Sequence, residues 1–178
     1  MFSVFLSSII LFCATNIDDL IVLGMLYAVS GSKKRILTGQ LAGMAVLIAV
    51  SFFLSDFLQH VMEIRFLGVV PIVLGICFLF KKENADEKTP SVSCFSVAVL
   101  TVSNGADNIG AYTPFFAVQD GKQLFLSITT FFILTIVWCY AAAFAVNVEI
   151  FRLKTAKAKK IIIPAVFIGL GTVVLFLN

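Results

Sequence analysis

The segment Thr15–Asp19 (TNIDD) places two carboxylates inside an apolar stretch, and the segment Asn104–Asn108 (NGADN) places a third inside another. Inserting one carboxylate into the hydrocarbon of a bilayer costs about 2.5–3.5 kcal/mol, so three cost about 9 kcal/mol. Neither stretch contains a Lys, Arg or His that could neutralise them. Either these groups are protonated or the missing positive charge comes from outside the chain. A transported cation is the simplest such charge.

The composition of the whole chain is that of a membrane protein. Of its 178 residues, 60% are apolar and only 13% are charged, which is too apolar for a soluble domain of this size. The apolar runs are continuous and approach the length of about 20 residues that a spanning helix needs. The sequence therefore predicts an all-α integral membrane protein with six transmembrane helices, at roughly 3–29, 36–58, 64–80, 91–118, 124–146 and 159–177.

The basic residues are distributed unevenly among the predicted loops. Eleven of the 13 Lys and Arg residues follow the first, third and fifth spans, whereas only Arg65 and Lys122 lie on the other side. By the positive-inside rule, the first, third and fifth loops are cytoplasmic and both termini lie outside. The distribution predicts a multi-pass protein of the cell membrane, and the net charge of +3 calls for no nucleic-acid partner.

The polar segment 81–90 (KKENADEKTP) divides the chain into two similar halves. Residues 1–80 are predicted to form a first three-helix repeat, 81–90 a cytoplasmic linker, and 91–178 a second three-helix repeat. Asp18 and Asp107 are 89 positions apart and lie at matching depths in the first span of each half. Because three spans is an odd number, the second repeat must have the opposite orientation, as in many secondary transporters.

The polar residues around the three carboxylates predict an oxygen-rich cation site where the two halves meet. Residues four apart share a helix face, so Thr15 and Asn16 are expected near the face of Asp19. The predicted ligands are Asp18, Asp19, Asp107, Asn104, Asn108, Asn16 and Thr15. Oxygen ligands alone suit magnesium, calcium or manganese, whereas a thiolate, for which Cys13 is a candidate, would favour cadmium or zinc.

Two further patterns bear on this site. Asn104-Gly105 and Pro114 favour one of two outcomes in the fourth span. Either the helix breaks near Gly105 and frees carbonyl groups that can coordinate a cation, or it has a modest kink with no coordination. Gln40 and Tyr112 are polar residues within spans, and each is predicted to form hydrogen bonds between helices instead of contacting substrate.

Both motifs resemble those of the bacterial cadmium resistance transporter family, within the lysine exporter superfamily. The resemblance rests on Asn16–Leu20 (NIDDL) and Asn104–Phe116 (NGADNIGAYTPFF), and it extends over essentially the whole chain. It implies export of cadmium or another divalent cation, with the acidic motif residues of the family falling on Asp18, Asp19 and Asp107. The family often has glycine after Gly105, and this chain has Ala106, which predicts a stiffer break.

The expected function is secondary transport that exports cadmium or zinc, coupled to protons by competition for the same carboxylates. No enzymatic activity and no cofactor are expected, and the chain contains no P-loop for ATP. The alternatives are an exporter of another cation or of a small organic solute, an uncoupled metal pathway, and an intramembrane aspartyl protease. Six short spans leave little protein to bury two polar half-sites, which is compatible with a homodimer.

Overall fold

The computed structural model describes residues 1–29, 32–61 and 93–145, together with residues 72, 73, 76, 168 and 172. The predicted third and sixth spans, the linker 81–90, and the Pro71 and Pro164 regions lie outside the described residues. Within the three continuous ranges the chain forms six α-helices, and every regular element there is helical. The prediction of an all-helical chain is confirmed for this part of the protein.

The first predicted span consists of two helices instead of one. Helix α1 extends over Phe2–Thr15 and helix α2 over Ile17–Val29, with Asn16 between them. The two axes are bent by 57°. The prediction of an unbroken first span is therefore wrong. At the break, the carbonyl of Phe12 accepts both the backbone N–H of Asn16 at 3.0 Å and its side-chain Nδ2 at 2.9 Å. The carbonyl of Asn16 itself accepts the indole N–H of Trp138 at 2.7 Å, a contact from a distant part of the chain.

The fourth predicted span is interrupted at Gly105, which is the break of the two outcomes that the sequence left open. Helix α4 covers Cys94–Asn104 and helix α5 covers Ala106–Ala117. The N–H of Gly105 bonds to the carbonyl of Val102 at 3.2 Å, a three-residue closure that tightens the last turn of α4. Ala106 does not prevent this interruption, and Pro114 is accommodated inside α5.

The two remaining helices are long. Helix α3 covers Lys33–Val61 and helix α6 covers Gly121–Ala145. Asp120 caps the start of α6, because its Oδ1 accepts the backbone N–H of Lys122 at 2.9 Å and of Gln123 at 2.8 Å. Helices α3 and α6 are each long and apolar enough to cross a membrane, and the bent pair α1–α2 qualifies as a third span if it is counted as one.

Large apolar side chains cover the outer faces of this bundle. Phe53 is 70% exposed, Phe125 73% and Phe144 86%. Exposure of this kind would be an aggregation hazard in water, whereas lipid solvates it. A membrane environment therefore accounts for both the length of the helices and their apolar surfaces.

In both broken spans, the break lies two residues before a motif aspartate. Asn16 and Gly105 are 89 positions apart, the same separation as Asp18 and Asp107. The packing is also reciprocal: α1 and α2 contact α6, and α4 and α5 contact α3. Each broken helix thus packs on the long helix of the other half, and α3 packs on α6 between them.

Helix α3 approaches α4 closely through two glycines. A Cβ atom added at Gly39 would lie 2.6 Å from the carbonyl oxygen of Cys94, and one added at Gly43 would lie 2.5 Å from the Cβ of Thr101. Both distances are shorter than van der Waals contact allows. The Gly39-x-x-x-Gly43 pattern is therefore the surface that lets these two helices touch.

Two apolar clusters in the bundle lie on either side of a group of buried, hydrogen-bonded polar residues, which we call the polar layer: Thr15, Asn16, Asp19, Gln40, Thr101 and Asn108. The first cluster contains Leu11, Phe12, Met44, Ile48, Ala111, Tyr112, Phe115, Phe116 and Phe131. The second contains Val22, Leu23, Leu26, Ile36, Val97, Cys139 and Ala142. Along α3, the polar residue Gln40 lies one turn from Ile36 and one turn from Met44, between the two clusters.

Candidate metal-ion site

Asn16 is the centre of the hydrogen bonding at the first helix break. Its Nδ2 lies 2.8 Å from the hydroxyl of Tyr112 on α5 and 2.9 Å from the Oγ1 of Thr15. Its backbone carbonyl accepts a hydrogen bond from the Nε1 of Trp138 on α6 at 2.7 Å. Asn16 is 1% exposed, so these contacts satisfy a polar junction that water does not reach.

Asn108 brings the second motif to this junction. Its Nδ2 donates to the Oδ1 of Asn16 at a long 3.4 Å, which joins the two motifs directly. Asn108 is 2% exposed, and its Oδ1 has no hydrogen-bond partner among the described residues. A buried amide oxygen of this kind is an unused ligand atom, since an oxygen without a donor normally costs free energy.

Asp19 is held by two consecutive hydrogen bonds that involve side chains from three helices. Its Oδ2 accepts a hydrogen bond from the Nε2 of Gln40 at 2.7 Å. The Oε1 of Gln40 in turn accepts a hydrogen bond from the hydroxyl of Thr101 at 2.6 Å. Asp19, Gln40 and Thr101 are all buried. These two hydrogen bonds connect α2, α3 and α4, and therefore link the first half of the sequence to the second.

All three intraspan carboxylates lie in the first turn of a helix that follows a break. Asp18 and Asp19 lie in the first turn of α2, and Asp107 lies in the first turn of α5. The partial positive charge of a helix N-terminus stabilises a carboxylate there by about 0.3–1 kcal/mol, and by up to about 2 kcal/mol when partly buried. Each break therefore offsets part of the cost of burying the charge.

Tyr112 links the second motif to the first helix break. It follows Asp107 and Asn108 on α5, and its buried hydroxyl bonds to Thr15 and Asn16. Asp107 is only 9% exposed, while Asp18 is half-buried. No three His, Cys, Asp or Glu side chains converge tightly enough among the described residues to enclose a metal ion.

The structure brings some predicted ligands together and separates others. Thr15, Asn16 and Asn108 meet at Tyr112, and Asp19 lies across the layer on Gln40. The expectation that Thr15 and Asn16 share a helix face with Asp19 is wrong, because helical periodicity does not continue through the 57° bend. Asn104 is the last residue of α4 and is half-buried.

Several residues that complete this layer escape sequence analysis. Gln40 and Tyr112 form hydrogen bonds between helices, as predicted. Thr101, which donates to Gln40, and Trp138, which donates to the carbonyl of Asn16, carry no local signal of such a role. Among the described thiols, Cys13 is half-buried, whereas Cys139 is buried in the second apolar cluster.

The hydroxyl of Tyr112 predicts a measurable stabilisation. Replacing Tyr112 with Phe removes the bonds to Thr15 and Asn16, and we expect it to lower the free energy of unfolding by about 1 kcal/mol. Thermal unfolding of the purified protein in detergent measures the change. Tyr140→Phe is the matched control, because Tyr140 is 66% exposed. Equal unfolding temperatures for the two variants would show that the Tyr112 bonds contribute nothing.

Comparison with known families identifies the chain. The family model described as "Cadmium resistance transporter" matches residues 12–178, which include both motifs and every helix from α2 to α6. Neither the curated proteins nor the solved structures include a match. Because the family model extends over nearly the entire sequence, this chain is a member of the cadmium resistance transporter family.

Proposed function

We propose that this protein exports a divalent metal cation, cadmium or zinc, across the cytoplasmic membrane, and that the polar layer around Tyr112 is its binding site. The three carboxylates do not converge in the described conformation, so we propose that the substrate ion draws together oxygens of Asp18, Asp19 and Asp107 when it binds. Asn16, Asn104, Asn108 and Thr15 would be neutral donors. Family membership supports a transporter that handles metal ions. The choice of ion, the direction of transport and the ligands are our proposal.

The observation that carries this proposal is the free Oδ1 of Asn108. It is buried, it has no hydrogen-bond donor among the described residues, and it lies next to a motif carboxylate in sequence and next to Asn16 in space. A cation supplies what this oxygen lacks, whereas a further hydrogen-bond acceptor would not. The absence of Lys, Arg and His from residues 2–32 and 93–121 leaves the carboxylates of these segments without a basic residue of their own.

The reciprocal packing supports a two-repeat architecture for this transporter. We propose six spans arranged as two inverted three-helix repeats, residues 1–80 and 91–178, joined by a cytoplasmic linker at 81–90. The helix breaks at Asn16 and Gly105 have the 89-residue separation that a duplication requires, and each broken helix packs on the long helix of the other half. Inverted repeats of this kind give alternating access by movement of one helical bundle against another around a shared site. With six spans both termini lie on the same side of the membrane, and the loop charges favour the outside.

The same packing suggests how the site can be both occluded and accessible. Among the described residues, one apolar cluster lies on each side of Gln40 along α3, and we propose that these clusters act as the two barriers of the transport path. Movement of α1–α2 with α6 against α4–α5 with α3 would open one side at a time. A homodimer would add further cover for the half-sites, and its presence can be measured by the mass of the detergent-solubilised protein.

Proton antiport is the proposed driving force. A proton and a divalent metal ion compete for the same carboxylates, and that competition is sufficient to couple their movements in opposite directions. In proteoliposomes we expect an imposed pH gradient alone to drive cadmium uptake against its concentration gradient. The measurement is cadmium accumulation with the membrane potential clamped to zero. Uptake that ignores the pH gradient and follows membrane potential would reject antiport, and purely downhill flux would favour an uncoupled pathway.

Two other functions fit the observations less well. An intramembrane aspartyl protease needs two carboxyl groups around one water molecule, and the family assignment is to transporters. An exporter of amino acids would need a partner for the substrate carboxylate, and the sequence places no Lys or Arg in either motif-bearing span. The paired acids next to a free amide oxygen are better suited to a cation.

A further inference from the structure

Gln40 and Thr101 form a two-residue support behind Asp19. The Nε2 of Gln40 is 2.7 Å from the Oδ2 of Asp19, and the hydroxyl of Thr101 is 2.6 Å from the Oε1 of Gln40. Gln40 is 4% exposed and Thr101 3%, so water cannot replace either bond. Neither residue belongs to the two sequence motifs, and together they link Asp19 to the opposite half of the chain.

The direction of these bonds fixes how the amide of Gln40 is oriented. The carboxylate of Asp19 can only accept, so the amide nitrogen of Gln40 faces Asp19 and the amide oxygen faces Thr101. The single hydroxyl proton of Thr101 is shared between this amide oxygen at 2.6 Å and the carbonyl of Val97 at 2.9 Å. If the amide turned over, two oxygen atoms would face each other at Asp19, which is unfavourable in a dry interior.

When a hydrogen bond holds one oxygen of a carboxylate, the direction in which the second oxygen points is also restricted. Partners that orient ligand side chains typically contribute about 10–100-fold to metal affinity, although they do not touch the metal. The hydrogen bond between Gln40 and Thr101 also depends on how α3 and α4 are aligned along each other, because Gln40 lies on α3 and Thr101 on α4. The close contact at Gly39 and Gly43 sets the approach of these two helices.

We propose that Gln40, oriented by Thr101, is a positioning residue that holds Asp19 in its metal-binding orientation. The proposal rests on the function proposed above and assigns a role to two residues outside the motifs. It makes the metal affinity of the site dependent on the packing of α3 against α4. Gln40 and Thr101 do not contact the metal, and they act through the carboxylate of Asp19.

The test uses Thr101→Val in the full-length protein, with cadmium binding measured by calorimetry in detergent. Valine has nearly the shape of threonine but cannot hold the amide of Gln40, and we expect affinity for cadmium to fall about 10-fold. Thr101→Ser keeps the hydroxyl and should bind within about twofold of the native protein. In proteoliposomes, Thr101→Val should raise the KM for cadmium about 10-fold while the maximal rate changes less than about twofold.

Thr135→Val is the matched control. Thr135 is 1% exposed and its hydroxyl donates to the carbonyl of Phe131 at 2.8 Å, so the variant loses the same kind of bond within a helix. We expect it to keep native cadmium affinity. Gln40→Met, which keeps the length of the side chain but removes the amide, should weaken binding at least as much as Thr101→Val.

The outcomes separate this inference from the proposed function. Native protein that binds cadmium, together with Thr101→Val and Gln40→Met variants of unchanged affinity, would overturn the positioning role alone. An equal loss in Thr135→Val would do the same, because the effect would then be general to buried threonines. If the native protein binds neither cadmium nor zinc, the proposed function fails first and the role of Gln40 fails with it.

Discussion

Replacing Asp107 with Asn is expected to remove high-affinity cadmium binding. The substitution keeps the size of the side chain and deletes one negative charge from a group that is 9% exposed at the start of α5. Loss of one partner from a buried charged contact costs about 2–5 kcal/mol, which corresponds to about 30-fold or more in affinity. Calorimetry of the purified protein with cadmium, zinc, manganese and calcium measures the loss and also ranks the ions.

The same experiment on Asp18→Asn tests whether the site involves both halves. Asp18 is the counterpart of Asp107 in the first half, at the start of α2, so we expect a similar loss. Asp56→Asn is the matched control, since Asp56 is exposed near the end of α3 and should leave binding unchanged. Native affinity in both motif variants would make these carboxylates structural and would return attention to the rival functions.

Substituting Gly39 or Gly43 with Ala is expected to separate α3 from α4. The added methyl group at Gly39 would overlap a backbone carbonyl, which cannot move as a flexible side chain could. Overpacking of this kind typically destabilises by about 1–3 kcal/mol, and the double variant should be more affected than either single one. The measurement is the unfolding temperature in detergent, together with the fraction of protein that elutes as one species.

Gly24→Ala is the same chemical change, but we expect it not to destabilise the protein. No described atom lies within 4 Å of a Cβ at Gly24, which is in the middle of α2. Alanine is favoured over glycine inside a helix by about 0.5–1 kcal/mol, so this variant should be neutral or more stable. If Gly39→Ala and Gly24→Ala unfold at the same temperature, the close approach of α3 and α4 is not a stability determinant.

The sequence alone was sufficient to predict the class of the protein and the location of its unusual chemistry. Long apolar runs with few charges can be satisfied only by spanning helices, and this inference needs no knowledge of packing. The two motifs are informative for the same reason, because carboxylates are too costly in hydrocarbon to occur there without a role. The family resemblance of these motifs is confirmed by the match over residues 12–178.

Local sequence indicated one of the two helix breaks as a possibility and missed the other. The Asn104-Gly105 pair favours a turn, so an interruption after α4 was one of two outcomes that the sequence left open, the other being a kink. Asn16 has no glycine or proline beside it. Its break depends on the bonds from its side chain to Tyr112 and from Trp138 to its carbonyl, with partners 96 and 122 positions away in sequence.

Only the tertiary structure decided which groups hold the carboxylates. Gln40 is 21 positions from Asp19, to which it donates, and 61 positions from Thr101, from which it accepts. No periodicity within one helix can show that these three side chains are linked. The free oxygen of Asn108 is likewise a property of its surroundings and not of its neighbours in the chain. The sequence determined where charge enters the membrane, through the local cost of burying it. The fold determined what surrounds that charge, because contacts between distant helices depend on how all of them pack together.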